Sequence, residues 1–196
     1  MSLTADSPSA DAAADVIENP LMGERVTFFQ RGEDTGGELL EFEVAAEPFA
    51  AGPPEHVHER QEEFFEILAG TFTGLVDGEE IELTAGDTYT IPAGTPHRWW
   101  NAHDEALVAR VEVRPALEMA AFLETVYGLA RDGKLTSDGG GNPLQMAVIG
   151  QHYWETNHLA SPPAAVQKAA FTVLAPVGRL LGYRAYYPEY SPRHRE

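Results

Sequence analysis

The sequence predicts a mainly β domain, a β-sandwich or a small barrel, followed by a helical extension. Between Glu24 and Arg114 the chain consists of short β-branched and aromatic runs broken by Gly, Pro and Asp, as in antiparallel β proteins. Beyond Pro115 the apolar residues recur with the 3.6-residue period of helices. The 196 residues, 43% of them apolar and 10% aromatic, are enough to build one domain with a substantial core.

Eight segments of the first part have the length and composition of strands. They are Glu24–Gln30, Glu38–Ala45, Glu63–Leu68, Thr71–Val76, Glu80–Leu83, Thr88–Ile91, His97–Trp100 and Leu107–Arg114. Asp77-Gly78 lies between two alternating segments and predicts a two-residue hairpin turn. Ala85-Gly86-Asp87 and Pro92-Ala93-Gly94 predict further turns. Closely spaced short strands with tight turns are typical of sandwiches and small barrels.

Three helices are predicted in the second part. The first has an apolar stripe over 119–130, and the second begins at Pro143 and extends to about Asn157. The third carries a stripe over 166–181, in which Pro176 should kink or end the helix. Because such helices have no core of their own, we expect them to pack on the β domain or across a dimer.

The predicted organisation has four parts. They are a flexible acidic leader, a β domain, a helical extension and an extended tail, over residues 1–20, 21–115, 116–183 and 184–196. The leader has no Lys or Arg and no apolar segment, so it is not predicted to be a signal peptide. No apolar run approaches the roughly 18–20 residues of a membrane span. We therefore expect a cytoplasmic protein.

The charge composition limits the partners. A net charge of -18 argues against nucleic acid and against anionic membrane surfaces, since both need clustered cations. The acid excess and the scarcity of Lys suit an organism with high internal salt, or an ordinary acidic protein. Without Cys there are no disulfides, cysteine zinc sites, iron–sulfur clusters or thiol nucleophiles. Any metal must be held by His and carboxylates.

One stretch carries candidate chemistry. His56-Val57-His58 places two imidazoles on one face of a strand, because side chains alternate with period two. Glu63 follows closely, and a spaced series of Gly and Pro residues leads to a third imidazole, His97. Three neutral imidazoles and one carboxylate can hold a divalent transition metal and leave positions open for other ligands.

These residues resemble the two motifs of the cupin superfamily. The first runs from Gly52 through His-x-His and Glu63 to Gly70, with Gly52 two residues nearer the histidines than usual. The second, from Gly86 through Pro92-Ala93-Gly94 and His97 to Asn101, fits at every position. With the strand pattern, the resemblance extends over roughly residues 24–114. It implies a small antiparallel jelly-roll barrel with the C-terminal helical extension outside it.

The resemblance also implies a ligand set inside the barrel. Carried over by position, the ligands are His56, His58, Glu63 and His97. Strict alternation from His58 would instead point Glu62 inward, whereas an intervening loop and the spacing to Gly70 favour Glu63.

Alternation also predicts an apolar wall near the metal. If Glu63 points inward, Phe65 and Ile67 on the same strand also point inward, and Trp99 points inward together with His97. A plain role in the barrel core is the alternative for Trp99.

The function expected from the resemblance is that of a metal-dependent, dioxygenase-like oxidoreductase. Its substrate would be a small organic molecule that ligates through oxygen, and Glu63 could act as the general base. Two alternatives stay open: a non-oxidative isomerase or lyase, and a non-catalytic metal- or ligand-binding module. One ion of Fe, Mn, Ni, Cu, Co or Zn would suit the ligands. Exposed barrel edges and the amphipathic helices predict a homodimer.

Overall fold

The computed structural model describes residues 16–193. Within them the strands are β1 (Val16–Asn19), β2 (Glu24–Gln30), β3 (Leu40–Ala46), β4 (His56–Val57), β5 (Glu62–Ala69), β6 (Thr71–Val76), β7 (Glu79–Thr84), β8 (Thr88–Ile91), β9 (His97–Trp100), β10 (Leu107–Arg114) and β11 (His158–Leu159). The helices are α1 (Met119–Arg131), α2 (Pro143–His152) and α3 (Ala164–Leu180). β11 lies in the connection between α2 and α3.

Two antiparallel sheets enclose the core. One has the strand order β1-β2-β3-β10-β5-β8, and the other has the order β11-β4-β9-β6-β7. Alternate residues of the strands in both sheets point into one apolar cluster. Across it, the ring of Phe65 on β5 lies 5.1 Å from that of Phe72 on β6, measured between centroids. The fold is therefore the predicted mainly β jelly-roll barrel with a helical extension.

All eight predicted strands are present, and their observed ends differ from the predicted ends by two residues at most. Asp77-Gly78 forms the predicted hairpin between β6 and β7. Both of its residues have positive φ, 50° and 80°, as a type I′ turn requires.

The C-terminal end of the predicted leader differs from the expectation. Residues 16–19 of the predicted leader form β1, which pairs with β2 and brings Ile17 against the core. Apolar Val16 and Ile17 extend the sheet, so this end of the predicted leader belongs to the β domain. The remainder of the predicted leader, residues 1–15, lies outside the described residues.

Helix α1 attaches the extension to the barrel. Met119 and Tyr127 belong to the same apolar cluster as the strands. The last described residues do not form the predicted extended tail, because they turn and pack on α1. Tyr190 lies on Gly128, where any Cβ would clash with the tyrosine ring.

Helix α3 packs on α2 with a different face from the one predicted. Gly178 permits this close approach, because a Cβ there would lie 2.8 Å from the Leu144 carbonyl oxygen. Most of the predicted apolar stripe points outward instead, with Val173 68% and Leu180 87% exposed, whereas Leu174 packs towards α2. Pro176 does not end the helix, which continues to Leu180, since its position is exposed and water can bond the freed carbonyl.

Among the described helices, none combines the length and the apolar character needed to cross a bilayer.

Candidate metal centre

Four buried side chains converge inside the barrel. They are His56, His58, Glu63 and His97, and one nitrogen or oxygen atom from each lies within 4.8 Å of the others. These are the four residues that the cupin resemblance implies as ligands. Glu62, the alternative carboxylate, is exposed, because β5 alternates with Glu63 facing inward.

The two sheets supply the group jointly. His56 on β4 pairs with His97 on β9, so their rings lie side by side with centroids 4.3 Å apart. His58 comes one residue after β4, and its ring centroid is 4.8 Å from that of His56. Glu63 reaches the histidines from β5 of the other sheet. The jelly roll therefore brings distant parts of the sequence to one point.

Each imidazole has its Nδ1 atom next to a backbone carbonyl. His56 Nδ1 lies 2.8 Å from the Pro54 oxygen, and His97 Nδ1 lies 2.9 Å from the Thr95 oxygen. His58 Nδ1 lies 2.5 Å from the oxygen of Thr156. Because a carbonyl can only accept, Nδ1 carries the proton in each ring. Each neutral ring then has a free lone pair on Nε2, the atom type that binds transition metals.

The Nε2 atoms of His58 and His97 both lie near one acceptor, the carboxylate of Glu63. Within residues 16–193, His58 Nε2 is buried without a hydrogen-bond partner. His97 Nε2 lies 3.1 Å from Glu63 Oε2, and His58 Nε2 lies 3.7 Å from the same oxygen. Lone pairs directed at a carboxylate repel unless a proton or a metal ion lies between them. The donor set of three nitrogens and one oxygen therefore fits a divalent transition metal ion.

The protonation of the group reflects its burial. Burial by itself would raise the pKa of Glu63, but the adjacent His58 and His97 imidazoles, when they take up a second proton on Nε2, hold that pKa far below its usual range. Burial lowers the pKa of His56, and the two neighbouring imidazoles lower it further. Burial would also lower the pKa of His97, but the adjacent Glu63 raises it overall. Glu63 is thus an anion, and His56 stays neutral.

The predicted apolar wall lies in the barrel core. Phe65 and Ile67 share the inward face of β5 with Glu63, and Trp99 shares that of β9 with His97. All three side chains are buried in the central cluster. Their role as a wall around a substrate stays a prediction.

Sequence reasoning did not find the contribution of the extension. The Thr156 carbonyl beside His58 comes from the connection between α2 and α3. The same connection contains His158, whose Nε2 lies 3.0 Å from Glu59 Oε1 and whose ring stacks on Trp154. No local motif marks a backbone carbonyl that is 98 residues away from its partner.

Comparison with known proteins identifies the family. The profile of the family described as Cupin domain matches residues 42–113. The protein of Hypocrea virens named "Probable oxidoreductase virH" is 30% identical over 153 residues, covering 71% of this chain and 68% of that protein. The chain belongs to the cupin family. Six curated relatives match, and the cupin chain spans between 24% and 68% of their lengths.

Two further relatives have more specific names. Quercetin 2,3-dioxygenase of Bacillus subtilis is 32% identical over 93 residues, which cover 47% of this chain and 28% of that protein. Among solved structures, the cupin-superfamily sugar phosphate isomerase of Silicibacter pomeroyi is 26% identical with a TM-score of 0.43. That match covers 49% of this chain and 62% of the isomerase.

Proposed function

We propose that this cupin is a mononuclear metal-dependent oxidoreductase, dioxygenase-like in its chemistry, that acts on a small oxygen-bearing organic molecule. The observation that carries the proposal is the buried group of three imidazoles and one carboxylate, with lone pairs directed at a common point. The oxidoreductase and dioxygenase names of two relatives support the choice of reaction class.

His56, His58 and His97 would hold the ion through Nε2, since their Nδ1 atoms are engaged by carbonyls. Glu63 would complete the ligand set with Oε2. A bound transition metal supplies Lewis acidity and, when it is redox-active, electron transfer. Fe, Mn, Ni, Cu, Co and Zn all accept these ligands.

Glu63 has a second role in the proposal. Its carboxylate lies at the meeting point of the histidines, so it would be placed to accept the proton of an enol, phenol or carboxylic acid that approaches the site. Phe65, Ile67 and Trp99 would keep water away from the reacting groups, which strengthens electrostatic interactions there.

The test is oxygen consumption by protein loaded in turn with Fe²⁺, Mn²⁺, Ni²⁺, Co²⁺ and Cu²⁺, against a panel of phenols, enols and hydroxy acids. We expect substrate-dependent uptake with at least one metal, and its loss in Glu63→Gln. Glu62→Gln is the matched control, since Glu62 is exposed next to it on β5. Bound metal without turnover by any panel member would contradict the oxidoreductase assignment and favour a binding module.

We also propose that the active form is a homodimer joined through the exposed stripe of α3. The stripe consists of Val166, Val173, Val177, Leu180 and Leu181, all more than 40% exposed. No Asp or Glu occurs between Thr156 and Pro188, although the chain has a net charge of -18. Two acidic copies would therefore meet with least repulsion on this apolar face.

Light scattering checks the dimer. We expect twice the chain mass of 21.4 kDa for the wild type and the single mass for Val173→Asp. Thr172→Asp is the control, because it adds the same charge on the flank that also carries Lys168 and Arg179. A wild-type monomer at micromolar concentration would overturn this proposal.

A further inference from the structure

His56, His58 and His97 each donate from Nδ1 to a backbone carbonyl, but these carbonyls come from two different parts of the chain. For His56 and His97 the acceptor is the carbonyl two residues earlier in the chain, at Pro54 and Thr95. For His58 it is the carbonyl of Thr156, 98 residues later. His58 lies just past the end of β4, where the strand pairing that orients His56 has ended. The orientation of His58 therefore depends on the extension.

The carbonyl belongs to a segment that is attached to the barrel on both sides of His58. We call residues 153–160, between α2 and α3, the linker segment. Before His58, the segment pairs His158 with Val57 as part of β11, and Ala160 N donates to the Glu55 oxygen at 2.9 Å. After His58, His158 contacts Glu59 at 3.0 Å. These contacts fix the segment along the strand that carries the ligands.

The linker segment is also rigid within itself. Two successive backbone N–H groups, of Thr156 and Asn157, donate to the Tyr153 oxygen at 2.9 and 2.7 Å. The Trp154 ring stacks on His158 with 4.1 Å between centroids, and Lys168 Nζ of α3 lies 4.5 Å from the Trp154 centroid. Thr156 itself is buried. Its carbonyl therefore has a defined position that α2 and α3 both help to maintain.

We propose that the linker segment is a positioning element of the metal centre, which acts by holding His58 as the Nδ1–H tautomer with Nε2 directed at the other ligands. Without a carbonyl at Nδ1, the proton can move to Nε2, and that nitrogen then has no lone pair for a metal. Groups that orient ligand histidines in this way typically change metal affinity about 10- to 100-fold when they are lost. The helical extension is thus part of the site, beyond its packing on the barrel. The inference rests on the proposed metal binding.

The first test needs neither metal nor mutation. Long-range ¹H–¹⁵N NMR of the metal-free protein at pH 8 reports which ring nitrogen of each neutral histidine carries the proton. We expect the Nδ1–H form for His58, as for His56 and His97. An Nε2–H form at His58 would overturn the inference, whatever the protein's activity.

The second test uses a substitution to displace the Thr156 carbonyl. Asn157→Pro removes the N–H that bonds Tyr153 and restricts the backbone of Thr156, so the carbonyl shifts. We expect Co²⁺ affinity, measured by calorimetry, to fall about 10- to 100-fold. His58 should lose its single tautomer in the metal-free variant, while His56 and His97 keep theirs. A folded variant with wild-type Co²⁺ affinity and an unchanged His58 tautomer would overturn the inference.

Two further variants complete the design. Glu155→Gln breaks an exposed ion pair with Arg60 that joins the same two segments, so it is the matched control and should leave Co²⁺ affinity unchanged. Should Asn157→Pro not fold, His158→Phe keeps a ring on Trp154 but loses the contact with Glu59, and we expect a loss of about 10-fold. Wild-type affinity in His158→Phe would count against the inference. A wild-type protein that binds no Co²⁺ would contradict the proposed function, while the NMR result would still decide the tautomer.

Discussion

Two buried carboxylates lie in different regions of the molecule and have different partners. Glu63, inside the barrel, faces His97 at 3.1 Å and His58 at 3.7 Å. Glu124, on α1 outside the barrel, accepts a hydrogen bond from Arg31 at 2.8 Å and another from Ser191. A guanidinium is always charged, so it neutralises Glu124 without any further ion. Imidazoles with Nδ1–H carry no permanent charge, so Glu63 is neutralised only when a proton or a metal ion binds at their Nε2 atoms.

A third buried carboxylate, Glu24 on β2, is compensated in another way. Its partner is the hydroxyl of Tyr127 on α1, at 2.5 Å. Burial raises the pKa of Glu24 to about 7, although the hydrogen bond from Tyr127 lowers it. A buried acid thus indicates a metal site only where its partners lack permanent charge and have free lone pairs. The predictions below test this distinction.

The largest effect is expected at the buried pair between Arg31 and Glu124. Arg31→Met leaves the carboxylate buried without its cation, which should reduce the free energy of unfolding by about 3–5 kcal/mol in urea denaturation. The double variant Arg31→Met, Glu124→Leu should recover most of that loss, because no charge stays buried. Co²⁺ affinity should not change in either protein. A loss of metal binding together with stability would show that the two regions are not independent.

The residues of the barrel site were largely predictable from sequence, because they lie in two motifs whose spacing resembles that of cupins. The alternation of β5 and the spacing of the motif place Glu63 inward, and pairing of β4 with β9 brings His56 to His97. The contacts of the extension depend on which helix faces meet, which the periodicity of a single helix does not determine. Both faces of α3 contain apolar residues, and the face with Phe171, Ala175 and Gly178 makes the contact with α2.

The short strand β11 could not be predicted from the sequence either. It has two residues, and its sequence offers no alternation or turn signal. It pairs with β4 only because α1 and α2 return the chain to the barrel.

The next largest effect is stabilisation by metal. Free Co²⁺ at about a thousand times its Kd should raise the free energy of unfolding of the wild type by about 4 kcal/mol. Glu63→Gln should reduce or abolish this gain, because it removes the anionic ligand, and the exposed neighbour variant Glu62→Gln should keep it. Denaturation curves with and without Co²⁺ measure the difference. Equal stabilisation of both variants would place the ion elsewhere.

A smaller, pH-dependent effect is expected at Glu24. In the folded protein it keeps its proton up to about pH 7, whereas the unfolded chain releases it near 4.5. The contribution of Glu24 to stability is therefore fully present below about pH 4.5 and is lost as the pH rises through 7. Glu24→Gln cannot ionise, so its stability relative to wild type should rise by about 3 kcal/mol between pH 4.5 and 8. A difference that does not vary with pH would contradict the raised pKa.

The most direct test of the central claim is elemental analysis of tag-free protein. We expect one equivalent of a transition metal in the wild type after anaerobic reconstitution with Fe²⁺, Mn²⁺ or Co²⁺, and none in His97→Ala. His103→Ala is the matched histidine control, since His103 lies outside the group and pairs with Glu82, and it should retain the metal. Equal metal content in the wild type and His97→Ala, or none in any protein, would contradict the assignment of His56, His58, Glu63 and His97 as a metal centre.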